Sequence, residues 1–419
     1  MRFVRLLRQS VAPVGATPLE RRNFLNVQID ALGVGLVNAA ATFLPVFLTR
    51  LGATNFQVGL LTAMPAFAGL FLTLAMGRFL QSRRNVVPWF SNASLLYFSS
   101  YALTGLVSFA VPEQYLVLAV LAVWAAASLP QTLRSVGFSV VMNAVAGPRG
   151  RYDLMSRRWS IIGLMSAVTV AVVGQILTRL RFPINYQLVF IGLSVGGFIS
   201  FYYSRRIQLP DAEPQPRPVG ASLLQRLKGY VDLIRGQRAF VSFTAKRLIY
   251  IAGSTLAAPL FPLYYVRDVG ATDAWIGIIS TSQTAIALLG YFLWARQGRA
   301  RGSRFVLLCT TLVLSLHPAL VASTQRVELV ALYAGLAGVF QAGLNLVFFD
   351  ELMKTVPVEH SPIFVSVAQT LQHLLAVIAP LLGTLLADRL GIGGALLVSA
   401  VLRLAGFGLF AWGRERGPQ

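Results

Sequence analysis

Twelve long apolar stretches, divided into two groups of six by a basic, proline-containing segment, constrain this 419-residue chain more than any other feature. A helix needs about 20 apolar residues to cross a bilayer, because each residue adds only about 1.5 Å. Helices also satisfy their own backbone hydrogen bonds without water, so each stretch predicts one transmembrane helix. We number these stretches as spans 1 to 12 and place them at roughly 23–49, 55–80, 86–110, 115–146, 157–179, 184–204, 239–266, 272–296, 303–325, 327–353, 361–387 and 391–413.

The composition fits a membrane protein and excludes a soluble domain. Hydrophobic residues make up 56% of the chain and charged residues only 12%, whereas about a quarter of a typical soluble domain is charged. In a soluble protein the net charge of +21 would suggest a nucleic-acid partner. Here the basic residues fall mostly in alternate loops, which is a topology signal. We therefore expect a multi-pass protein in the lipid bilayer of the bacterial cytoplasmic membrane, without nucleic acid.

The distribution of Arg and Lys predicts the orientation. Basic residues precede span 1, follow spans 2, 4 and 8, fill the central segment and close the chain, whereas the opposite loops carry few. Both termini are therefore expected on the cytoplasmic side, which requires an even number of spans. The predicted organisation is an N-terminal segment, a six-helix bundle, a linker, a second six-helix bundle and a tail, at 1–22, 23–204, 205–238, 239–413 and 414–419.

A short repeat relates the two halves. The tripeptide Gly-Ala-Thr occurs at 52–54 and again at 270–272, each time between the first two spans of a half. Thr54 and Thr272 are expected to cap the helices that follow, because a threonine oxygen can accept from the unpaired N–H groups of a first turn. The repeat predicts an internal duplication. Parallel six-helix halves are a known route to alternating access around a site near the membrane midplane.

These features resemble the major facilitator superfamily, and the resemblance covers nearly the whole chain. The family's signature after the second span is G-x-x-x-D-x-x-G-[RK]-[RK]. Gly77 matches its first position, but Gln81 replaces the acid and Arg84 replaces the second glycine. In the second half Arg299 stands where the acid would be. In the family this acid helps to hold the cytoplasmic side closed, so that latch is not expected here in its usual form.

The resemblance implies an all-α integral membrane fold, with twelve transmembrane helices in two six-helix repeats. It also implies secondary transport of a small-molecule substrate by alternating access. Arg134 and Gly137 resemble the family's signature in span 4, with the spacing short by one residue. The G-x-x-x-G-P signature of drug antiporters is missing from span 5, which disfavours that branch. We expect a monomer.

Asp30 and Arg134 are the charged residues that we predict to matter most in the first half. Asp30 lies about 8 residues into span 1, roughly 12 Å deep, and Arg134 about 12 residues before the end of span 4, roughly 18 Å deep. Charge inside a membrane helix is costly and suggests function. Our hypothesis is an Asp30–Arg134 pair that binds a proton or a charged group of the solute. The alternatives are a structural ion pair, or Asp30 reaching cytoplasmic water.

Neutral polar residues complete the predicted site. Gln131, Ser135, Ser139 and Asn143 recur every four residues along span 4, which favours cavity lining over hydrogen bonds between helices. Such groups, repeated in spans 7, 8, 10 and 11, suit a hydroxylated or amide-bearing solute bound between the halves. His373 either relays protons or is simply hydrogen-bonded. The candidates for binding or coupling are Asp30, Asn38, Gln131, Arg134, Tyr250, Gln283, Gln341, Asn345, Gln369 and His373.

The remaining charged residues suggest a gate or ordinary surface roles. Asp350 and Glu351 either pair with Arg299 or Arg301, closing a gate, or form a solvated rim. Lys246 and Arg247 are expected to extend to the cytoplasmic surface from the end of span 7, whereas Arg403 lies deeper in span 12 and needs a partner. The gate candidates are Arg78, Arg83, Arg84, Arg299, Asp350 and Glu351.

No motif indicates catalysis. The sequence has no P-loop, no H-E-x-x-H and no cysteine cluster, so we expect no metal, no cofactor and no enzymatic activity. Energy for transport would come from an ion or solute gradient, and coupling to protons through Asp30 is a hypothesis. The alternative function is that of a membrane receptor or assembly protein that kept this fold without transporting anything, since fold alone does not fix function.

Overall fold

The structure is a computed structural model, and it describes residues 16–209, 234, 236–355 and 361–412. These residues are almost entirely helical, and no strand occurs among them. Eleven helical stretches in this part of the chain are long and apolar enough to cross a membrane. The last, Val367–Trp412, breaks at Gly391, whose backbone is not helical (φ 77°, ψ 162°), so it contains two spans. The predicted all-α membrane fold is confirmed.

The first-half helices follow the predicted spans closely. Spans 4 and 5 belong to one helix of 67 residues, so the connection predicted between them is itself helical. Span 6 is divided at Ser194. The helices are Pro18–Arg50, Asn55–Gln81, Val87–Ala110, Glu113–Arg179, Ile184–Leu193 and Val195–Ser204.

The second-half helices show the same agreement. Span 7 is divided near Ala258, just before a proline, and span 8 ends at a glycine with positive φ, Gly302. The helices are Arg238–Ala257, Leu260–Arg267, Asp273–Arg301, Ser303–Ala322, Val327–Thr355 and Ser361–Trp412. Residues 1–15 of the predicted N-terminal segment, most of the predicted linker and the predicted tail lie outside the described residues.

Span 1 begins earlier than predicted, at Pro18, and the local sequence accounts for this. The Thr17 hydroxyl accepts a hydrogen bond from the Glu20 backbone N–H at 3.2 Å, while the Glu20 carboxylate accepts one from the Thr17 backbone N–H at 2.7 Å. This reciprocal arrangement is a capping box, and a proline suits the first helical position because its missing N–H would be unpaired there anyway. The helix therefore starts where capping is available, before its apolar stretch.

The Gly-Ala-Thr turns have the same conformation in both halves. Gly52 and Gly270 have φ values of 82° and 67°, a left-handed region that favours glycine. Thr54 accepts a hydrogen bond from the Gln57 backbone N–H at 3.2 Å. Thr272 accepts one from the backbone N–H three residues further on, at 3.4 Å. Both predicted helix caps are confirmed.

The chain forms two compact units. The first contains Met1–Leu44 and Phe71–Pro216, and the second contains Pro45–Leu70 and Arg217–Gln419. The end of span 1 and most of span 2 therefore group with the second unit, although they precede it in sequence. The boundaries of the predicted six-helix bundles remain a prediction.

Candidate solute and coupling sites

Asp30 is the centre of a buried ionic cluster in the first unit. Its side chain is 1% exposed, and it forms an ion pair with Arg158, whose Nη2 lies 3.0 Å from the Asp30 Oδ2. The Ser200 hydroxyl donates to the other carboxylate oxygen at 2.5 Å. Both oxygens of Asp30 therefore have a donor, as a carboxylate removed from water requires.

Close packing of spans 1 and 6 brings Ser200 to Asp30. A Cβ added to Gly33 would lie 2.8 Å from the backbone nitrogen of Ser200, so a larger residue at position 33 would push the two helices apart. Asp30 precedes Gly33 by less than one helical turn, and the two residues therefore share a face of span 1. Gly33 sets the approach that makes the Ser200 hydrogen bond possible.

Asp30 pairs with Arg158 and not with Arg134, which corrects the pairing expected from the sequence. Arg158 belongs to the first turn of span 5, where its charge resembles that of a basic loop. The Arg134 guanidinium instead lies over two rings of span 3, with Cζ 4.6 Å from the Phe98 centroid and 5.6 Å from the Tyr97 centroid. The depths estimated from the sequence, roughly 12 Å for Asp30 and 18 Å for Arg134, differ by an amount that a long arginine side chain can span, so depth alone did not exclude the expected pair.

A cavity of about 480 Å³ lies within the second unit, between spans 7, 10 and 11. Its volume is in the range of small-molecule sites. Much of its wall is apolar, including two phenylalanines of span 10. Four of the predicted binding residues line the cavity: Tyr250, Gln341, Asn345 and Gln369. Among the lining residues that were not predicted to bind are Arg247 and Gln372.

Neutral polar residues of the cavity are connected by hydrogen bonds. The Gln341 amide nitrogen donates to the Asn345 side-chain oxygen at 2.9 Å, and the Asn345 amide nitrogen donates to the Tyr291 hydroxyl at 3.3 Å. The Tyr250 hydroxyl donates to the Thr311 backbone carbonyl at 3.4 Å. These bonds orient the amide groups of span 10, which were predicted from their spacing of one turn.

Arg247 is half-buried on the cavity wall, a placement that was not predicted. Its extension to the cytoplasmic surface stays a prediction. Its Nη2 donates to the Gln372 side-chain oxygen at 3.3 Å, and its Cζ lies 5.5 Å from the Phe348 centroid. Its Nε is buried and has no hydrogen-bond partner. None of the ion pairs found among the described residues includes Arg247. Sequence reasoning missed this residue because its position near the start of span 7 resembles that of a loop cation.

Four predicted candidates lie elsewhere. Asn38 and Gln131 are half-buried in the first unit, and Gln283 is exposed in the second. His373 is half-buried, and its ring carbon Cε1 would lie 3.4 Å from a Cβ added to Gly69. None of the four is among the residues found to line the cavity. Their roles in binding or coupling stay predictions.

A polar network links the regions of the two Gly-Ala-Thr turns within the second unit. Arg50 donates from Nε to the Asp273 carboxylate at 2.9 Å and from Nη2 to the Ala271 carbonyl at 3.0 Å. Arg267 donates from Nη1 to the Asn55 side-chain oxygen at 2.6 Å, and from Nη2 to the backbone carbonyl of the alanine in the 52–54 turn. Each arginine therefore reaches into the other half's turn.

The network follows the internal repeat. The register that aligns Gly52 with Gly270 also aligns Asn55 with Asp273, so the two arginines bind equivalent acceptors. The Asn55 amide nitrogen donates further to the Asp388 carboxylate at 2.6 Å. In the sequence, Arg50 and Arg267 are simply two of the few basic residues on the side opposite the termini. The repeat was a signal that could have revealed these contacts.

Comparisons with known proteins agree with this geometry. Residues 243–419 match the sequence model of the Major Facilitator Superfamily. A bacterial homologue of the iron transporter ferroportin superposes with a TM-score of 0.70 at 15% identity, covering 94% of this chain and 98% of the other. The predicted resemblance to the major facilitator superfamily is confirmed. No curated protein gives a significant sequence match.

Two further solved structures superpose on this chain with similar TM-scores. The xylose transporter XylE from E. coli has a TM-score of 0.68 at 13% identity, with 96% of this chain and 100% of the other covered. The nucleoside transporter NupG has a TM-score of 0.65 at 14% identity, with coverages of 94% and 99%. Likeness at this identity supports the fold across the whole chain. The superfamily and its fold are generally non-enzymatic.

The acids at the end of span 10 pair along their own helix and not with Arg299 or Arg301 as one hypothesis proposed. The Lys354 ammonium lies 2.7 Å from the Asp350 carboxylate and 3.0 Å from that of Glu351. Partial burial by itself lowers the pKa of Lys354, but the hydrogen bonds and charges of the two acids raise it overall. Short sequence separation favours this pairing, since residues three or four apart meet on a helix.

A cation–π contact occurs in the loop after span 2, where the sequence only partly resembles the superfamily signature. The Arg83 guanidinium carbon lies 4.5 Å from the Phe79 ring and 4.9 Å from the Trp89 ring. Arg84 and Arg299 are exposed, and the side chain of Arg78 lies outside the described residues. The gate roles of these residues stay predictions.

Proposed function

We propose that this protein is a secondary transporter of a small solute that works by alternating access. The observation that carries the proposal is the cavity between spans 7, 10 and 11, where polar side chains and phenylalanines line a space of about 480 Å³. A pocket of that size, mostly apolar with a few fixed polar groups, suits a small organic molecule. Multi-pass proteins of this superfamily bind small molecules within the membrane, which agrees with the placement of the cavity.

The structural neighbours support transport without naming the solute. Their titles describe transporters of a nucleoside and of xylose and a homologue of an iron transporter. Three such different solutes on one fold show that the fold does not select the solute. The identity of the solute must therefore come from the residues of this chain's own cavity.

The polar network at the two turns supports alternating access. In that mechanism the two repeats rock against each other, so contacts between them on one side must break during the cycle. Arg50 and Arg267 each bind a segment from the other sequence half. We propose that these contacts stabilise one state of the cycle and separate in the other.

The buried cluster around Asp30 supports coupling to protons. Protonation would remove the charge of Asp30 and so release Arg158 and Ser200 from their present bonds. A group with this effect can link a proton gradient to a conformational change. The alternative is a purely structural ion pair. We further propose a monomer in the bacterial cytoplasmic membrane, with both termini on the cytoplasmic side as the basic residues predict.

The test of transport begins with a thermal-stability screen of the purified protein against sugars, organic ions, amino acids, lipids and drugs at two pH values. A ligand that binds only the native state raises the melting temperature by mass action. Solutes that bind are then tested for uptake into proteoliposomes with and without a pH gradient. We expect uptake that Asn345→Ala reduces at least tenfold, whereas Gln325→Ala, which alters an exposed amide in the loop between spans 9 and 10, leaves it unchanged.

The Asp30 hypothesis is tested in the same proteoliposomes. Asp30→Asn keeps the shape of the side chain but cannot take up a proton. We expect it to abolish uptake driven by a pH gradient while exchange of solute across the membrane continues. Full retention of pH-driven uptake would reject proton coupling through Asp30. Binding without any uptake or exchange, in wild-type vesicles shown to be sealed, would favour the receptor or assembly role.

A further inference from the structure

The charges of the cavity in the second unit are unbalanced. Of the residues found to line it, Arg247 alone carries a formal charge, and no acid is among them. An arginine stays protonated under all ordinary conditions. Arg247 is half-buried, and removing a charge even partly from water without a counter-ion is costly. The cavity therefore holds a positive charge that the residues found to line it do not neutralise.

The contacts of Arg247 are weak ones for a guanidinium. Gln372 accepts a single hydrogen bond at 3.3 Å, Phe348 provides a ring at 5.5 Å, and the buried Nε has no acceptor. A guanidinium has five N–H donors in a planar fork. The terminal Nη1 group and the second N–H of Nη2 are therefore open to a ligand, and their geometry matches the two oxygens of a carboxylate.

Three other arginines, Arg134, Arg158 and Arg403, also have a buried Nε without a hydrogen-bond partner, so that feature alone does not distinguish Arg247. Arg134 lies over the rings of Phe98 and Tyr97 and is not among the residues found to line the cavity. Arg158 has the Asp30 carboxylate, and Arg403 donates to the Leu314 backbone carbonyl at 3.0 Å. Neither lines the cavity. Arg247 combines a missing counter-charge with a place on a cavity wall, and that combination points to a ligand.

We infer that the solute of this protein is an organic carboxylate with an apolar or aromatic body, held through its anionic group by Arg247. This inference rests on the proposed function and names the class of its solute. Phe348 and Phe349 provide an apolar surface for the body. Gln341, Asn345 and Gln369 provide neutral donors and acceptors for an amide or hydroxyl group.

The test uses matched pairs of an acid and its neutral primary amide with the purified full-length protein. The probes are hippurate, 3-phenylpropionate and N-acetylphenylalanine, each compared with its amide by calorimetric titration. We expect at least one acid to bind ten times or more tighter than its amide. In Arg247→Met that preference disappears, because the long apolar side chain fills space without charge. Arg247→Lys keeps a preference for acids with weaker binding, because the ammonium lacks the planar fork.

Controls separate the role of Arg247 from general loss of charge or fold. Arg326→Gln removes one positive charge from an exposed residue in the loop before span 10, which is not among the residues found to line the cavity. We expect this variant to bind the acids like the wild type. If Arg247→Met fails to fold, the inference is still tested by Arg247→Lys and by the comparison of acids with amides on the wild-type protein. Equal binding of acids and amides, no binding of any acid, or an acid preference that survives in Arg247→Met would overturn the inference.

Failure of this inference is distinguishable from failure of the proposed transport. Uptake of a neutral solute into proteoliposomes, with no acid bound, would reject the carboxylate and keep the transporter. A clear acid preference that depends on Arg247, without uptake of the same acid, would keep the carboxylate site and reject transport.

Discussion

Two arginines, one in each compact unit, show two different environments for a positive charge within a span: Arg158 is buried and Arg247 is half-buried. Arg158 meets Asp30 in an ion pair in which both side chains are at most 3% exposed. Arg247 meets an amide and a ring at the edge of a cavity. The first charge is neutralised within the protein, whereas the second is open to a ligand. An arginine within a span therefore does not indicate one particular role. An arginine paired with a carboxylate points to coupling or to structural stabilisation, whereas one without a carboxylate on a cavity wall points to ligand binding.

The largest expected effect on the free energy of unfolding comes from breaking the ion pair between Arg158 and Asp30. Arg158→Met leaves the Asp30 carboxylate buried with only the Ser200 hydroxyl as a donor, so we expect a loss of about 3 to 5 kcal/mol in the free energy of unfolding. The double variant Asp30→Leu/Arg158→Met removes both charges and should recover most of that loss. Chemical unfolding in detergent measures both. A double variant no more stable than the single one would show that packing, and not charge, is what the pair provides.

A smaller effect is expected at the polar network of the two turns, whose ion pair is more exposed than the one between Arg158 and Asp30. The side chains of Arg50 and Asp273 are 28% and 10% exposed, so water screens their attraction. Arg50→Gln should cost about 1 kcal/mol or less, as partly exposed pairs do. The same unfolding assay applies, with Arg326→Gln as the control for removing one exposed charge. A loss as large as that of Arg158→Met would place this pair with the fully buried one.

The smallest loss is expected from the unpaired arginine. Arg247→Met leaves no carboxylate of the described residues without its partner, because Arg247 pairs with none of them. Its free energy of unfolding should stay within about 1 kcal/mol of the wild type or rise slightly, since Arg247 is half-buried and replacing its charge by an apolar side chain removes only a partial desolvation penalty. A loss of 3 kcal/mol or more would mean that Arg247 stabilises the fold as Arg158 does, and the contrast between the two arginines would then be wrong.

Residues that were predicted from local spacing or from their own chemistry were found more readily than contacts between residues on different helices. Gln341 and Asn345, chosen for their spacing of one turn, do share a cavity wall with Tyr250 and Gln369. Asp30 was recognised because a carboxylate inside an apolar stretch is costly in lipid and must face protein or water. Its partner was not recognised, because two side chains on different helices meet only through packing that the sequence does not encode locally. Arg247 was missed because its position near the start of span 7 resembles that of a loop cation.

The sequence by itself determined the spans, their number and the duplication, because hydrophobic length and the Gly-Ala-Thr turns are local properties of the chain. The same local chemistry placed the caps at Thr54 and Thr272. Only the tertiary structure decided which charges meet. Long arginine side chains reach several ångströms across helix interfaces, so Arg158, Arg247 and the Arg50–Asp273 pair acquired their partners or their cavity from packing. Depth along a helix constrains such contacts, and the packing of neighbouring helices selects among them.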